Sequence, residues 1–297
     1  MKDKVLVVGG TGFIGYHLLK KLPKKKYSLY SLSKKKPKKK NCLKNIKYLY
    51  CDITKFKDLK KKINYQYDHI INLSGYVDHS KKKENINCHF HGCKNLVSLF
   101  KRKKIKTFIQ VGSSLEYGNQ SSPQSENKRC KPRGSYGLSK LKASEFLKIV
   151  GKKYNFPYII LRPYQIYGPK QKNNRLIPQT IEACLKDKKF NCSPGLQKRD
   201  FLYVDDFVEL IKKILKQKKI RKEIFNVGSG KPISVKFIIQ MIQSSIGLGK
   251  PQFGKIPMRK DEINSLYPSI KKIKKKLSWL PKKKLKAGIK KTIQSYV

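Results

Sequence analysis

Negative charge is what this chain has least of: 18 Asp and Glu stand against 71 Lys and Arg in 297 residues, a formal net charge of +53. Arginine is scarce as well, at Arg102, Arg129, Arg133, Arg162, Arg175, Arg199, Arg221 and Arg259. A reader of base edges relies on arginine forks. The densest basic runs (Lys24–Lys26, Lys34–Lys40, Lys271–Lys276) fall at expected loops and solvent faces and do not make one stripe. The charge therefore reads as lysine filling exposed positions, and nucleic acid is not an expected partner. No apolar run approaches the ~20 residues of a membrane helix, so no membrane segment is expected. Met1-Lys-Asp-Lys4 leads straight into Val5-Leu-Val-Val8, which leaves no signal-peptide pattern. The seven cysteines form no Cys-x-x-Cys pair, and their odd number and scatter read as reduced thiols of a cytoplasmic protein.

What is present is alternation. Apolar strands are expected at Lys4–Val8, Tyr27–Leu32, Ile46–Tyr50, Asp68–Leu73, Thr107–Val111 and Tyr158–Leu161. Helices are expected at Phe13–Leu22, Asn85–Phe100 and Ser135–Tyr154. Strands alternating with helices argue for an α/β fold, a Rossmann-type doubly wound parallel sheet. After Arg162-Pro163 prolines break the pattern, with helices expected at Leu176–Lys186, Val204–Gln217 and Ser234–Ile246 and a short strand at Ile224–Val227. This predicts a nucleotide-binding domain over residues 1–165, with 200–228 returning to it, and a smaller C-terminal substrate lobe from 166–199 and 229–297.

Gly9-Gly-Thr-Gly12-Phe-Ile-Gly15 lies between a strand and a helix. Gly9 permits a tight turn, Gly12 lets backbone approach a pyrophosphate, and Gly15 allows close helix–strand packing. The helix N-terminus then offers free N–H groups to phosphate. The second strand ends Ser31-Leu-Ser33-Lys34 without the carboxylate that usually binds the ribose hydroxyls of NAD. Ser33 and Lys34 could hold a 2′-phosphate, which favours NADP over NAD. Asp52, after the third strand, is a candidate for the adenine amine. Tyr136 and Lys140 sit four apart on an expected helix and so share a face, where an ammonium favours the ionised phenol and the two can act as one proton-transfer unit.

These segments resemble the extended short-chain dehydrogenase/reductases, specifically the NAD-dependent epimerase/dehydratase family that modifies nucleotide sugars. The resemblance also rests on Ile71-Asn-Leu-Ser-Gly75, Val111-Gly-Ser-Ser-Leu-Glu-Tyr-Gly118, Leu161-Arg-Pro-Tyr-Gln-Ile-Tyr-Gly-Pro169, Arg199-Asp-Phe-Leu-Tyr-Val-Asp-Asp206, Asn226-Val-Gly-Ser-Gly230 and Arg259-Lys-Asp-Glu262. It implies Ser113, Tyr136 and Lys140 as the catalytic set, with Lys140 also on the nicotinamide ribose. It further implies cofactor contacts from Thr11, Phe13, Ile14, Ile53, Leu73, Ser74, Gly75 and Arg162. On the substrate side it implies Arg199 and Arg259 at the diphosphate, Asn174 beside the nucleotide, and Ser114 near the sugar. Family members commonly dimerise, so a homodimer is expected.

Two departures matter. His89 replaces an Asn of the family's helix motif, and although Cys88, His89, His91 and Cys93 are close in sequence, one helix does not converge them on a tetrahedron, so no metal is expected. Ser114 and Leu115 occupy the positions where family dehydratases carry an acid/base pair, and Glu116 has the wrong alternation on an extended segment. A 4,6-dehydratase is thereby disfavoured. The expected function is reduction of a nucleotide-linked 4-keto-6-deoxy sugar with NADPH. The alternatives are a nucleotide-sugar 4-epimerase with retained NAD and, from another class, a non-catalytic NADP-sensing or nucleic-acid-associated member.

Overall fold

The computed structural model describes residues 1–63, 65–76, 81–217, 219–259 and 262–297, and its chain divides into two compact units. The first comprises residues 1–120, 126–163 and 208–225. Its elements run β1 (Asp3–Val8), α1 (Phe13–Lys21), β2 (Tyr27–Ser33), β3 (Ile46–Tyr50), α2 (Phe56–Lys62), β4 (His69–Asn72), α3 (Lys82–Ile86), α4 (Gly92–Phe100), β5 (Thr107–Val111), α5 (Gly134–Tyr154) and β6 (Tyr158–Pro163). With the strand Glu223–Val227 these make a seven-stranded sheet in the order Glu223–Val227, β6, β5, β4, β1, β2, β3. β1 pairs in parallel with both β2 and β4, so the strand order reverses at β1. That reversal opens a crevice at the C-terminal ends of β1 and β4, where α/β sheets bind their ligands.

Burial explains why these strands read as near-continuous apolar runs. Val5, Leu6, Val7 and Val8 are 0–1% exposed, as strands covered on both faces must be. Leu96, Val97 and Phe100 of α4 and Leu147 of α5 close one face of the sheet. Between α3 and α4 the helix does not keep its register: Asn87–His91 forms a π-turn.

The second unit comprises residues 121–125, 164–207 and 226–297. Residues 200–207, expected to return to the first domain, cluster here instead. The physical reason is pairing: Phe201–Tyr203 runs parallel to Gln165–Tyr167, and Phe201 and Tyr203 pack into a core with Ile177, Ile181, Ile238 and Ile242. That core joins α6 (Leu176–Leu185) to a helix at Val235–Ile246. Asp200, fully buried, fastens the next loop by accepting from the Ser229, Gly230 and Lys231 N–H groups and the Ser229 hydroxyl at 2.6–3.2 Å. Residues 121–125 are a brief excursion anchored by Gln124, also fully buried. Its N–H donates to the Tyr267 carbonyl at 3.0 Å and its own carbonyl accepts from Ser269 N–H at 2.7 Å. No helix among the described residues is long and apolar enough to cross a membrane.

Candidate active site

The turn from β1 into α1 is built for an anion. Gly9 has φ +81°, a conformation that L side chains rarely adopt, and its N–H donates to the Leu32 carbonyl at 2.7 Å. A Cβ on Gly15 would run into the Gly9 carbonyl, so the helix approaches the turn as closely as backbone permits. Gly12 is the N-cap of α1 with no side-chain cap, and the first turn carries no acidic residue. The N–H groups and positive end of the helix dipole there are left for a ligand. Phe13, Ile14 and Gly15 form that first turn. The donor set and the missing side chains fit a dinucleotide pyrophosphate.

A cleft of about 500 Å³ opens beside the turn, lined by Gly9, Thr11 and Gly12, by Ser33 and Lys34, by Asp52 and Ile53, and by Leu73, Ser74 and Gly75. Cofactor residues expected from four separate segments are thus brought to one wall. Two of them are already engaged. The Ser33 hydroxyl accepts from the Thr11 N–H at 3.2 Å, and the Lys34 ammonium pairs with the Asp52 carboxylate at 2.8 Å. Burial pushes the Asp52 carboxyl up, but Lys34 and the Thr54 N–H and hydroxyl outweigh it and hold the group below the usual carboxylate range.

The expected catalytic set lies on two elements of this unit. Ser113 caps a 3-10 turn, Ser114–Glu116, and its hydroxyl accepts from the Leu115 N–H at 3.1 Å. Tyr136 and Lys140 are on α5, the Lys140 Nζ lying 5.9 Å from the Tyr136 ring centre. Gly137 explains how close the helix comes: the Leu115 carbonyl occupies the place a Cβ would need. Lys140 is buried and donates to the Val111 carbonyl at 2.8 Å. A lysine has three donors, so that bond leaves two more.

Three residues sit differently from expectation. Glu116 does not continue the alternation of β5, because the 3-10 turn rotates it inward, where it is fully buried. Its Oε2 accepts from Arg162 Nη2 at 2.8 Å, Arg162 Nε at 2.9 Å and the Ser144 hydroxyl at 2.8 Å, while Oε1 accepts from the Ser113 N–H at 2.9 Å. Arg162, expected to touch the cofactor, is 1% exposed and committed to this pair. His89 falls in the π-turn. Its ring meets Tyr136 edge-on at 5.0 Å, with Nε2 2.9 Å from the Tyr76 carbonyl oxygen. Cys93 lies inside the core, where burial pushes its thiol up to about 12. Among the described residues no three His, Cys, Asp or Glu side chains gather as a metal site.

The second unit carries its own cleft of about 960 Å³, lined among others by Asn174, Arg199 and Arg259. The structure therefore brings together the three substrate residues expected there. Ser114, the fourth, is buried in the first unit. Arg199 is not a loose surface charge. Its Nη1 donates to the carbonyls of Lys198 at 2.8 Å and Ile263 at 2.7 Å, and Nη2 pairs with Glu262. Glu262 was legible only as part of the Arg259-Lys-Asp-Glu262 stretch, with no sequence signal for its partner.

Residues 5–228 match the profile of the NAD dependent epimerase/dehydratase family. The chain belongs to that family. It is 31% identical over 308 residues to a putative UDP-glucose 4-epimerase of Methanocaldococcus jannaschii, covering 97% of both chains. It is 29% identical over 317 residues to a dTDP-D-glucose 4,6-dehydratase of Homo sapiens, covering 99% of this chain and 89% of that one. In fold it superposes on the UDP-glucose 4-epimerase of Thermotoga maritima, solved with UDP-glucose, with a TM-score of 0.92 at 23% identity, covering 99% and 98% of the two chains. This family member is accordingly an enzyme of the sugar-nucleotide epimerase/dehydratase group, with the Rossmann-type sheet its sequence predicts.

Proposed function

We propose that this family member reduces a nucleotide-linked 4-keto-6-deoxy sugar with NADPH. The observation that carries the reading is the cleft wall at the end of β2: Ser33, Lys34 and Lys35 face it, and β2 contributes no carboxylate. A 2′-phosphate suits that wall better than two bare ribose hydroxyls do. Leu115 supports the reading from the other side, since it has no proton to transfer where a dehydratase needs an acid/base pair.

The turn at Gly9–Gly15 would hold the pyrophosphate, Ser33 and Lys34 the adenosine ribose, and Lys140 the nicotinamide ribose. When bound, the nicotinamide supplies the hydride. The chain's own residues manage the oxygen. Tyr136 donates its phenolic proton to the sugar oxygen as negative charge develops there. The Ser113 hydroxyl, which accepts from Leu115 N–H, has its own proton to donate to the same oxygen. The Lys140 Nζ lies 5.9 Å from the Tyr136 ring centre, close enough for its charge to offset the one that develops on the reacting oxygens. Arg199 and Arg259 suit the diphosphate of the substrate.

A second reading, a 4-epimerase with retained NAD, is favoured by the Lys34–Asp52 ion pair, which neutralises the cation nearest Ser33. The Methanocaldococcus jannaschii relative bears an epimerase name, which supports it too. Mass spectrometry of the purified protein, followed by calorimetry, separates the two. The reductase reading expects an empty site that takes NADPH more tightly than NADH. It also expects Tyr136→Phe to lower turnover by orders of magnitude with cofactor affinity unchanged. Tightly held NAD would instead establish the epimerase.

A further inference from the structure

Two amides lie in the sheet where the packing has no need of them. Asn72 on β4 and Gln110 on β5 are register partners, each 1% exposed. Ile70, Ile71, Phe108 and Ile109 around them are fully buried. An aliphatic pair would fill that space without desolvating an amide, which is costly unless every polar atom is matched. Here the atoms are matched, and the donors converge on one carbonyl. The Ser74 N–H and hydroxyl donate to Asn72 Oδ1 at 3.1 and 2.5 Å. Asn72 Nδ2 donates to Gln110 Oε1 at 2.8 Å, and the Cys93 thiol donates to the same oxygen at 3.3 Å. Gln110 Nε2 donates to the Val111 carbonyl at 3.2 Å, the oxygen that also accepts from Lys140 Nζ. The chain begins at Ser74, on the wall of the cofactor cleft, and ends at the lysine ammonium.

We infer that Asn72 and Gln110 are positioning residues: they fix the Val111 carbonyl, and through it hold the Lys140 ammonium in register with the cleft wall at Ser74. The inference rests on the reading of Lys140 as part of the hydride-transfer site. Stability alone does not ask for these amides, and fixing a catalytic cation does, because an ammonium on a flexible stem is only as well placed as its acceptors.

The test uses the full-length protein with Gln110→Leu and with the double variant Asn72→Leu/Gln110→Leu, which removes both amides together so that neither amide is left facing an apolar side chain. Two readouts are taken. In pulse acylation with peptide mass spectrometry, Lys140 should react several-fold faster in both variants, the size of the one neutral hydrogen bond that fixed its acceptor. The other lysines should react as in the wild type. In turnover, kcat should fall about tenfold, and the limb of the pH–rate profile that falls toward alkaline pH, where the proton donor is lost, should move to higher pH, while cofactor affinity changes far less. A purely structural role would lower thermal stability and leave the profile in place. Unchanged Lys140 acylation in the folded double variant would overturn the inference. If the wild type turned over no nucleotide sugar, the functional reading would fail, and acylation would still decide the positioning role.

Discussion

Glu116 and Arg162 meet without water: a carboxylate 0% exposed against a guanidinium 1% exposed, with the Arg162 group stacked 4.6 Å from the Tyr117 ring centre. A buried pair of this kind adds little net stability when intact, but removing one partner leaves an uncompensated charge. Glu116→Gln should therefore lower the unfolding free energy by about 3–5 kcal/mol, measured by urea titration. An apolar double substitution at 116 and 162 should recover most of that loss. Because Glu116 also accepts from the Ser113 N–H, the single variant should displace the Ser113 hydroxyl. Sequence alternation kept this carboxylate from the acid/base position but did not show that a 3-10 turn follows β5 directly, ends the period of two and turns Glu116 onto Arg162. Ser33 and Lys34 were legible by position, whereas their engagement with Thr11 and Asp52 was not, since backbone donors and cross-strand partners leave no trace in spacing.

Among the elements, the β1–α1 turn separates folding from binding. At Gly15 a Cβ has no room beside the Gly9 carbonyl, and overpacking of this kind costs about 1–3 kcal/mol. At Gly12 the nearest atom to an added Cβ is the Gly9 carbonyl oxygen at 3.2 Å, a tight but tolerable approach. Gly15→Ala should thus lower both melting temperature and cofactor affinity. Gly12→Ala should lower affinity alone, with calorimetry and thermal denaturation as the two measurements. This turn was legible because its glycines follow an apolar run and precede a helical one. Longer elements were legible for the same reason, as β1, β5 and α5 show. The π-turn at Asn87–His91 was not, because one inserted residue shifts the helical phase without changing composition. The two- to four-residue strands of the second unit, such as Lys198–Arg199 and Ser265–Leu266, are too short to show any period.

For the whole molecule the dominant quantity is the net charge of +53, which repels itself in the compact state. Raising ionic strength from about 0.01 M to about 0.15 M shortens the screening length from roughly 30 Å to roughly 8 Å. The melting temperature should rise over that range and then level off, as read by differential scanning calorimetry in sodium chloride. A flat response would mean that the lysines are spaced widely enough not to oppose folding. The two-unit division was legible in outline from the proline-broken C-terminal half. The excursion at 121–125 was not, because four polar residues and a proline carry no sign of a partner so far along the chain. That excursion sets a timetable for synthesis. The Ser122 hydroxyl donates to the Ser265 carbonyl and accepts from the Tyr267 N–H, the latter 145 residues onward, and the Gln124 backbone bonds Tyr267 and Ser269. At a translation rate of about 5–20 residues per second, this segment waits on the order of 7–30 s for the residues that will bury it. For that interval the segment stands exposed on the nascent chain, within reach of a chaperone or protease.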